Sequence, residues 1–333
     1  LIEIRYDKYF DANQDEIDSY LQIFDKNLMN ANSFMALNVR YAAEHGDIKA
    51  MKYYAYMNYF GKGIHTNKKE AAHFFKILAH MGDVNSMNNY GSMLSHGDGI
   101  EMDKKEALKY FKMSADNGNS IGMFEYAYLH DIGEGTPINK IIAAKYYKLS
   151  AKRGFSDAMN NYGNMLKNGD GIQIDLKKAA KYFKLSAKKG NKIGMLNYAC
   201  CLKNGIGIEV DKKKAAKFFK KSAEKGENNS MVYYAKMLSE GDGIEKNMKE
   251  AIKYFKISIN NGNSVAMIQY GLILYYGNEV SVNKKKAANF FKMAANKGNI
   301  EGMILYANML FDGDGINVDK KNSAFYYKMA ADK

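Results

Sequence analysis

Residues 90–118, YGSMLSHGDGIEMDKKEALKYFKMSADNG, and residues 162–190, YGNMLKNGDGIQIDLKKAAKYFKLSAKKG, carry one pattern twice. Half the offset between them finds the other copies. Gly46, Gly82, Gly118, Gly154, Gly190, Gly226, Gly262 and Gly298 stand 36 residues apart. Met51, Met87, Met123, Met159, Met195, Met231, Met267 and Met303 keep the same register, as do Tyr54, Tyr90, Tyr126, Tyr162, Tyr198, Tyr234, Tyr270 and Tyr306. An unbroken period of this length is one supersecondary unit written eight times, and such a unit must stack on its neighbours to bury its apolar face.

Within the unit, Met51, Tyr54, Ala55 and Asn58 stand at i, i+3, i+4 and i+7, the spacing of an amphipathic helix, here helix A. Repeat two reads Met87, Tyr90, Gly91 and Leu94 at the same places. The third member is always Ala or Gly, which lets a neighbouring helix approach closely. Leu holds the fourth place at 94, 166, 202, 238, 274 and 310, with Asn58 and His130 as exceptions. Gly61, Gly97, Gly133, Gly169, Gly205, Gly241, Gly277 and Gly313 are placed to end helix A in the left-handed conformation. A second glycine follows two residues later, except at Glu279, and an Ile at 64, 100, 172, 208, 244 and 316 is expected to plug the loop onto the core.

Helix B opens at Asn67, Asp103, Asn139, Asp175, Asp211, Asn247, Asn283 or Asp319, all good N-cap types, and buries a stripe such as Ala71, Phe74, Phe75 and Leu78. The predicted fold is all-α, an α/α superhelical solenoid of about eight 36-residue helix-turn-helix repeats over residues 46–333. Residues 1–45 read as a degenerate N-terminal repeat or cap: Ile17, Tyr20, Leu21 and Phe24 copy the helix-A face, and Ser33 is expected to cap a second helix carrying Val39, Ala42 and Ala43. At the other end no polar capping helix is visible near Lys333, so the chain is expected to continue or to dock there.

Apolar residues make up 47% and charged residues 26%, enough to build a core and outside the disordered class. The net charge of +13 favours an acidic partner, whether nucleic acid, membrane surface or acidic polymer, against the plainer reading of a solvated Lys face. Cys200 and Cys201 are adjacent and form no disulfide framework, which points to a reducing compartment. The expected location is the cytoplasm, with the cytoskeleton within it, ahead of the endoplasmic reticulum lumen. No run long enough to span a bilayer is present, and no secretory signal opens the sequence.

The combined pattern, Met–x–x–Tyr–Ala/Gly followed by Gly–x–Gly–Ile–x–x–Asp–Lys–Lys–x–Ala–x–x–Tyr–Phe–Lys–x–Ser–Ala–x–x–Gly, resembles the Sel-one-like repeat (SLR) family, relatives of the tetratricopeptide repeat. The resemblance implies a superhelix with helix A on its concave side. It also implies an adaptor role, since the family includes proteins that assemble membrane-protein degradation machinery, cell-wall synthesis regulators and signalling complexes. A cysteine-rich branch associated with β-lactam binding has regular helix-linking cysteine pairs that this chain lacks.

Chemistry is not suggested by any motif. The Gly–x–Gly loops end helices and follow no strand, the six histidines (His45, His65, His73, His80, His96, His130) lie in no metal-ligand spacing, and no nucleophile is paired with a base. Neither a cofactor nor a metal is expected, and the reading is not an enzyme but a scaffold for other proteins within a larger complex. Its candidate partner-binding residues are the variable places of helix A, where a repeat protein is free to differ. Asn88, Asn89, Asn160, Asn161, Asn164 and Asn197 offer amides that bond an extended peptide backbone. Apolar groups flank them: Tyr53 and Tyr56 in repeat one, and Leu272, Tyr275, Tyr276 and Phe311 in repeats seven and eight.

Helix B suggests a second surface, with Lys at 76, 112, 148, 184, 220, 256, 292 and 328 forming basic ridges if they face outward. Such ridges would suit a structural protein decorating an acidic polymer such as a microtubule. Specific nucleic-acid reading lacks a groove-reading or aromatic-basic module. A lone Asn228–Asn229–Ser230 sequon gives a lumenal degradation adaptor as a further alternative.

Overall fold

The computed structural model describes residues 32–333, and Ile17, Tyr20, Leu21 and Phe24 of the expected cap lie outside the described residues. Among these residues there are seventeen helices and no strand. They fall into two compact units divided after Asp175.

The first unit holds α1 (Asn32–Glu44), α2 (Ile48–Phe60), α3 (Lys68–His80), α4 (Val84–His96), α5 (Lys104–Asp116), α6 (Ser120–Ile132), α7 (Lys140–Lys152) and α8 (Ser156–Asn168). The second holds α9 (Leu176–Lys188), α10 (Lys192–Asn204), α11 (Lys212–Glu224), α12 (Asn228–Glu240), α13 (Met248–Asn260), α14 (Ser264–Tyr276), α15 (Lys284–Asn296), α16 (Ile300–Asp312) and α17 (Lys320–Ala331). From α2 onward the even-numbered helices are helix A and the odd-numbered ones helix B. Within each unit every helix packs on the one before and the one after, the arrangement of an α/α solenoid. α1 has helix-B register and packs on α2, but it already begins at Asn32, which puts Ser33 inside its first turn rather than at the N-cap.

The local chemistry sets these boundaries. Every helix A ends on its glycine in the left-handed region, φ 69° at Gly61 and 71° at Gly313, with the glycine N–H donating to the carbonyl four residues back. The N-cap side chains Asn67, Asp103, Asn139, Asp211, Asn247, Asn283 and Asp319 each accept from the amide three residues ahead and so satisfy an otherwise unpaired helix-end donor. Helix A has caps of its own, placed directly after the repeat glycine: Asp47, Asp83, Asn119, Asn191, Asn263 and Asn299.

The core is a set of columns. Phe75, Phe111, Phe183, Phe219, Phe255 and Phe291 are fully buried on helix B. Tyr147 takes the same place with a phenol that needs a partner, and it donates to Asp131 Oδ2 at 3.3 Å. Burial pushes that phenol well above its ordinary range. Beside this column, helix B buries a serine that donates to the carbonyl of the first residue of the preceding helix A: Ser150 to Ser120 at 2.6 Å and Ser222 to Lys192 at 2.7 Å. Each serine thus ties the two helices of one hairpin together without an unsatisfied polar group.

Two columns break where the residue type breaks. His130 occupies the buried leucine place, 6% exposed, with neither ring nitrogen hydrogen-bonded. Leaving buried polar atoms unsatisfied costs about 1–3 kcal/mol, so His130→Leu, the residue of six other repeats, should stabilise by about that amount. Burial also holds the imidazole below its ordinary pKa. The unfolded chain therefore takes up a proton as pH falls below about 6.5 while the folded chain resists it, so this contribution destabilises on acidification. Urea midpoints at pH 8 and pH 5 should draw closer together in the variant, and an unchanged gap between them would be the contrary result.

Glu279 replaces the second loop glycine and keeps its left-handed backbone, φ 57°. Its carboxylate pairs with Lys246 at 2.5 Å, yet both side chains are about half exposed and such a pair contributes little. Relieving the left-handed penalty of about 1–2 kcal/mol outweighs losing it, so Glu279→Gly should raise stability by about 1 kcal/mol in urea unfolding.

Candidate functional site

Partner-facing groups on a repeat array belong to the places of helix A that differ between repeats. The structure separates two columns that the sequence places side by side. Asn88, Phe124, Asn160, Val232 and Ile268 share one place and are buried, whereas Leu196 at that place is half-buried and Ile304 is 41% exposed. One residue further on, Glu125, Asn161, Asn197, Gln269 and Leu305 are half-buried and Tyr233 is 41% exposed. A single residue turns a helix by about 100°, and that turn carries the side chain from the packed flank to the open face.

Several candidates need correction on this basis. Asn88 and Asn89 are both 0% exposed, and Asn160, Tyr53 and Tyr56 are also buried, so these five are not open groove groups. Tyr53 packs in a cluster with Ala36 and Met57, against which Val39 of α1 also rests. Tyr56 sets its ring edge against Phe75, centroids 5.2 Å apart, and its hydroxyl accepts from Asn89 Nδ2 at 3.0 Å. Asn160 Nδ2 donates to Asn161 Oδ1 at 3.3 Å, and the Asn161 amide is further held by the Tyr147 phenol.

The open candidates are Asn164 and, in the second unit, Asn197, Leu272 and Tyr275, which are half-buried, with Tyr276 65% and Phe311 52% exposed. Tyr275 is committed in part to structure, since its hydroxyl donates to Asp314 Oδ2 at 2.5 Å and Lys284 lies over its ring. The structure adds neighbours to these residues. Tyr233 projects from α12 with its ring stacked on Phe219, centroids 5.0 Å apart. Asn308 accepts from the Tyr327 hydroxyl, and Lys320 stands over Phe311 at 5.5 Å. Tyr233 was legible as an aromatic at a variable place, between Asn197 and Gln269. The variable helix-A places of the second unit thus combine amides, Asn197, Gln269 and Asn308, with apolar groups, Tyr233, Leu272, Tyr276 and Phe311.

At five of its eight places the helix-B lysine column is not a free ridge. Lys76, Lys112, Lys220, Lys256 and Lys292 each lie over the repeat tyrosine of the next hairpin, Tyr90, Tyr126, Tyr234, Tyr270 and Tyr306, at 5.8–5.9 Å. Their aliphatic stems and ammonium groups serve stacking. The sequon is engaged as well: Asn228 Oδ1 accepts from Ser258 Oγ at 2.7 Å, and Ser230, 0% exposed, donates to Ser222 Oγ at 2.8 Å. Among the described residues no group of histidines, cysteines or carboxylates could hold a metal, and no helix is long and apolar enough to cross a membrane.

A family model, the Sel1 repeat, matches residues 48–83, 84–119, 120–155, 156–191, 193–227, 229–263, 264–299 and 300–333. Among solved structures the chain is similar to a protective antigen present in uropathogenic Escherichia coli strains that displays an SLR fold. That likeness has 23% identity and a TM-score of 0.78 over 89% of this chain and 64% of that one, so this chain spans less than two thirds of the antigen's length. It is also similar to a Sel1 repeat protein from Oxalobacter formigenes, with 22% identity and a TM-score of 0.66 over 73% of this chain and 96% of the other. At these identities the likeness is one of fold. No curated protein matches.

Proposed function

Because the chain belongs to the Sel1 repeat family, whose members are non-enzymatic repeat scaffolds that bind other proteins, we propose that it holds a polypeptide segment on the inner helix-A face of its second unit. The observation that carries the reading is Tyr233, an aromatic ring left 41% exposed at the variable place while its other face is fixed by Phe219. A rigid, half-exposed aromatic loses little entropy on binding and is the residue type that anchors interfaces. Leu272, Tyr276 and Phe311 supply apolar contacts beyond it, and Asn197 and Gln269 supply amides for a peptide backbone.

The test is capture of partners from native cells by the full chain and by a variant with Tyr233→Ala, Leu272→Ser and Phe311→Ser, read by mass spectrometry. Truncating anchors of this kind costs about 1–2 kcal/mol each, so recovery of specific partners should drop at least about tenfold. Equal recovery would remove the inner face from the reading. A reducing, cytoplasmic setting fits two thiols outside any disulfide, with Cys201 buried, and the engaged Asn228 and Ser230 do not suit glycan transfer to the folded chain.

A further inference from the structure

The positive charge of this protein is not spread along it. Residues 176–225 contain fifteen lysines against Glu209, Asp211 and Glu224, a net of +12 within a whole-chain total of +13. A lysine surplus set by composition alone would distribute over all eight repeats, and here the remaining residues are nearly neutral. The excess sits on α9 and α11, both in the second unit. Lys177, Lys181, Lys184 and Lys188 form one stripe on α9, and Lys213, Lys217 and Lys221, at i, i+4 and i+8, form another on α11, all exposed.

Pairing separates these lysines from the others. Elsewhere, Lys68 meets Asp98, Lys104 meets Glu134, Lys140 meets Asp131 and Lys284 meets Asp314. On α11, Lys212 pairs with Asp242 and Lys220 reaches Glu250 at 3.8 Å. None of the seven stripe lysines is in an ion pair among the described residues. The first turns are more telling. Where α3, α5 and α13 carry Glu70, Glu106 and Glu250, α9 and α11 carry Lys178 and Lys214, as α15 carries Lys286. A cation there opposes the helix dipole by a few tenths of a kcal/mol, and the run Lys212–Lys213–Lys214 crowds three at one helix start. Lys213, Lys214, Lys217, Lys220 and Lys221 line a concavity of about 550 Å³ together with Asp211, Phe218 and Glu224.

We propose that the lysine faces of α9 and α11 are a docking surface for an acidic, extended polypeptide segment. Four residues along a helix advance about 6 Å, close to the roughly 6.6 Å between alternate side chains of an extended chain, so successive carboxylates meet successive ammonium groups. The region contains no arginine, the residue suited to bidentate phosphate contacts, and its aromatic rings do not stand free for base stacking. Tyr182 and Phe218 are half-buried, Phe218 edge-on to Tyr198 at 4.9 Å. These faces lie on helix B, and the inference goes beyond the inner-face reading without depending on it.

Fluorescence anisotropy of a labelled glutamate-rich peptide, titrated with the full chain, tests it. The patch variant carries Lys177→Glu, Lys181→Glu, Lys213→Glu and Lys217→Glu. The control carries the same charge change at Lys69, Lys105, Lys249 and Lys285, which occupy the repeat place of Lys177 and Lys213. Peptide affinity should fall at least about tenfold in the patch variant and less than about twofold in the control, and should weaken as salt shortens the screening length. The inner-face variant with Tyr233→Ala should bind the peptide as the parent does, which keeps failure of one reading distinct from failure of the other. Equal losses in patch and control variants, no binding of the peptide, or binding only of single-stranded DNA or phosphatidylserine vesicles would overturn the proposal.

Discussion

Phe219→Ala should cost about 3–5 kcal/mol and do so locally, because the ring is fully buried and the cavity it leaves is walled by three successive helices that cannot all collapse into it. In a repeat array, stability is a sum of each hairpin's own term and its interfaces, so damage at α11 weakens its contacts with α10 and α12 first. Hydrogen exchange should show amides of α10–α12 losing protection while α2–α6 keep theirs. Tyr233 stacks on this ring, so the same substitution should also release the aromatic on which partner capture depends. A uniform loss of protection across all helices would mean that the chain unfolds as one cooperative block, against the nearest-neighbour picture.

What the sequence made legible was whatever recurs with the period. The Gly, Met and Tyr columns, the helix-A stop glycines and the helix-B caps were readable because each is imposed eight times by one backbone requirement. Tyr147 breaks the phenylalanine column of helix B, and Asp131 is the partner its hydroxyl finds. The helix-A caps Asp47, Asp83 and Asn119 follow the repeat glycines directly and carry the same cap chemistry as those of helix B.

The candidate site was less legible for a geometric reason. Asn88 and Asn89 are neighbours, and composition cannot say which of two adjacent places on a helix faces a packed neighbour. In this unit both are enclosed, the second through its bond to Tyr56. The lysine column misled in the same way, because a cation over the next hairpin's tyrosine looks like a free charge until the stacking partner is known. By contrast, the concentration of charge on residues 176–225 required no structure to count, only a window shorter than the chain.

The second large effect concerns the loop glycine that follows the helix-A stop. At Gly135 the backbone is left-handed, φ 70°, and a Cβ would lie 2.5 Å from the Lys104 carbonyl oxygen and 2.6 Å from its carbon. Those are backbone atoms in the first turn of the previous helix B, so no rotamer change relieves the clash and the hairpin must lift away. Gly63 has the same left-handed backbone, φ 74°, but a Cβ there meets only Met57 Cε at 3.6 Å. The pair therefore separates two costs that usually come together. Gly63→Ala should cost about 1–2 kcal/mol, the left-handed penalty alone. Gly135→Ala adds about 1–3 kcal/mol of overpacking and should also break the Lys104–Glu134 pair, which spans that joint at 2.6 Å. Urea unfolding of the two variants with the parent decides the matter: equal losses would mean that conformation alone fixes this glycine, and a larger loss at 135 that the close approach of successive hairpins does.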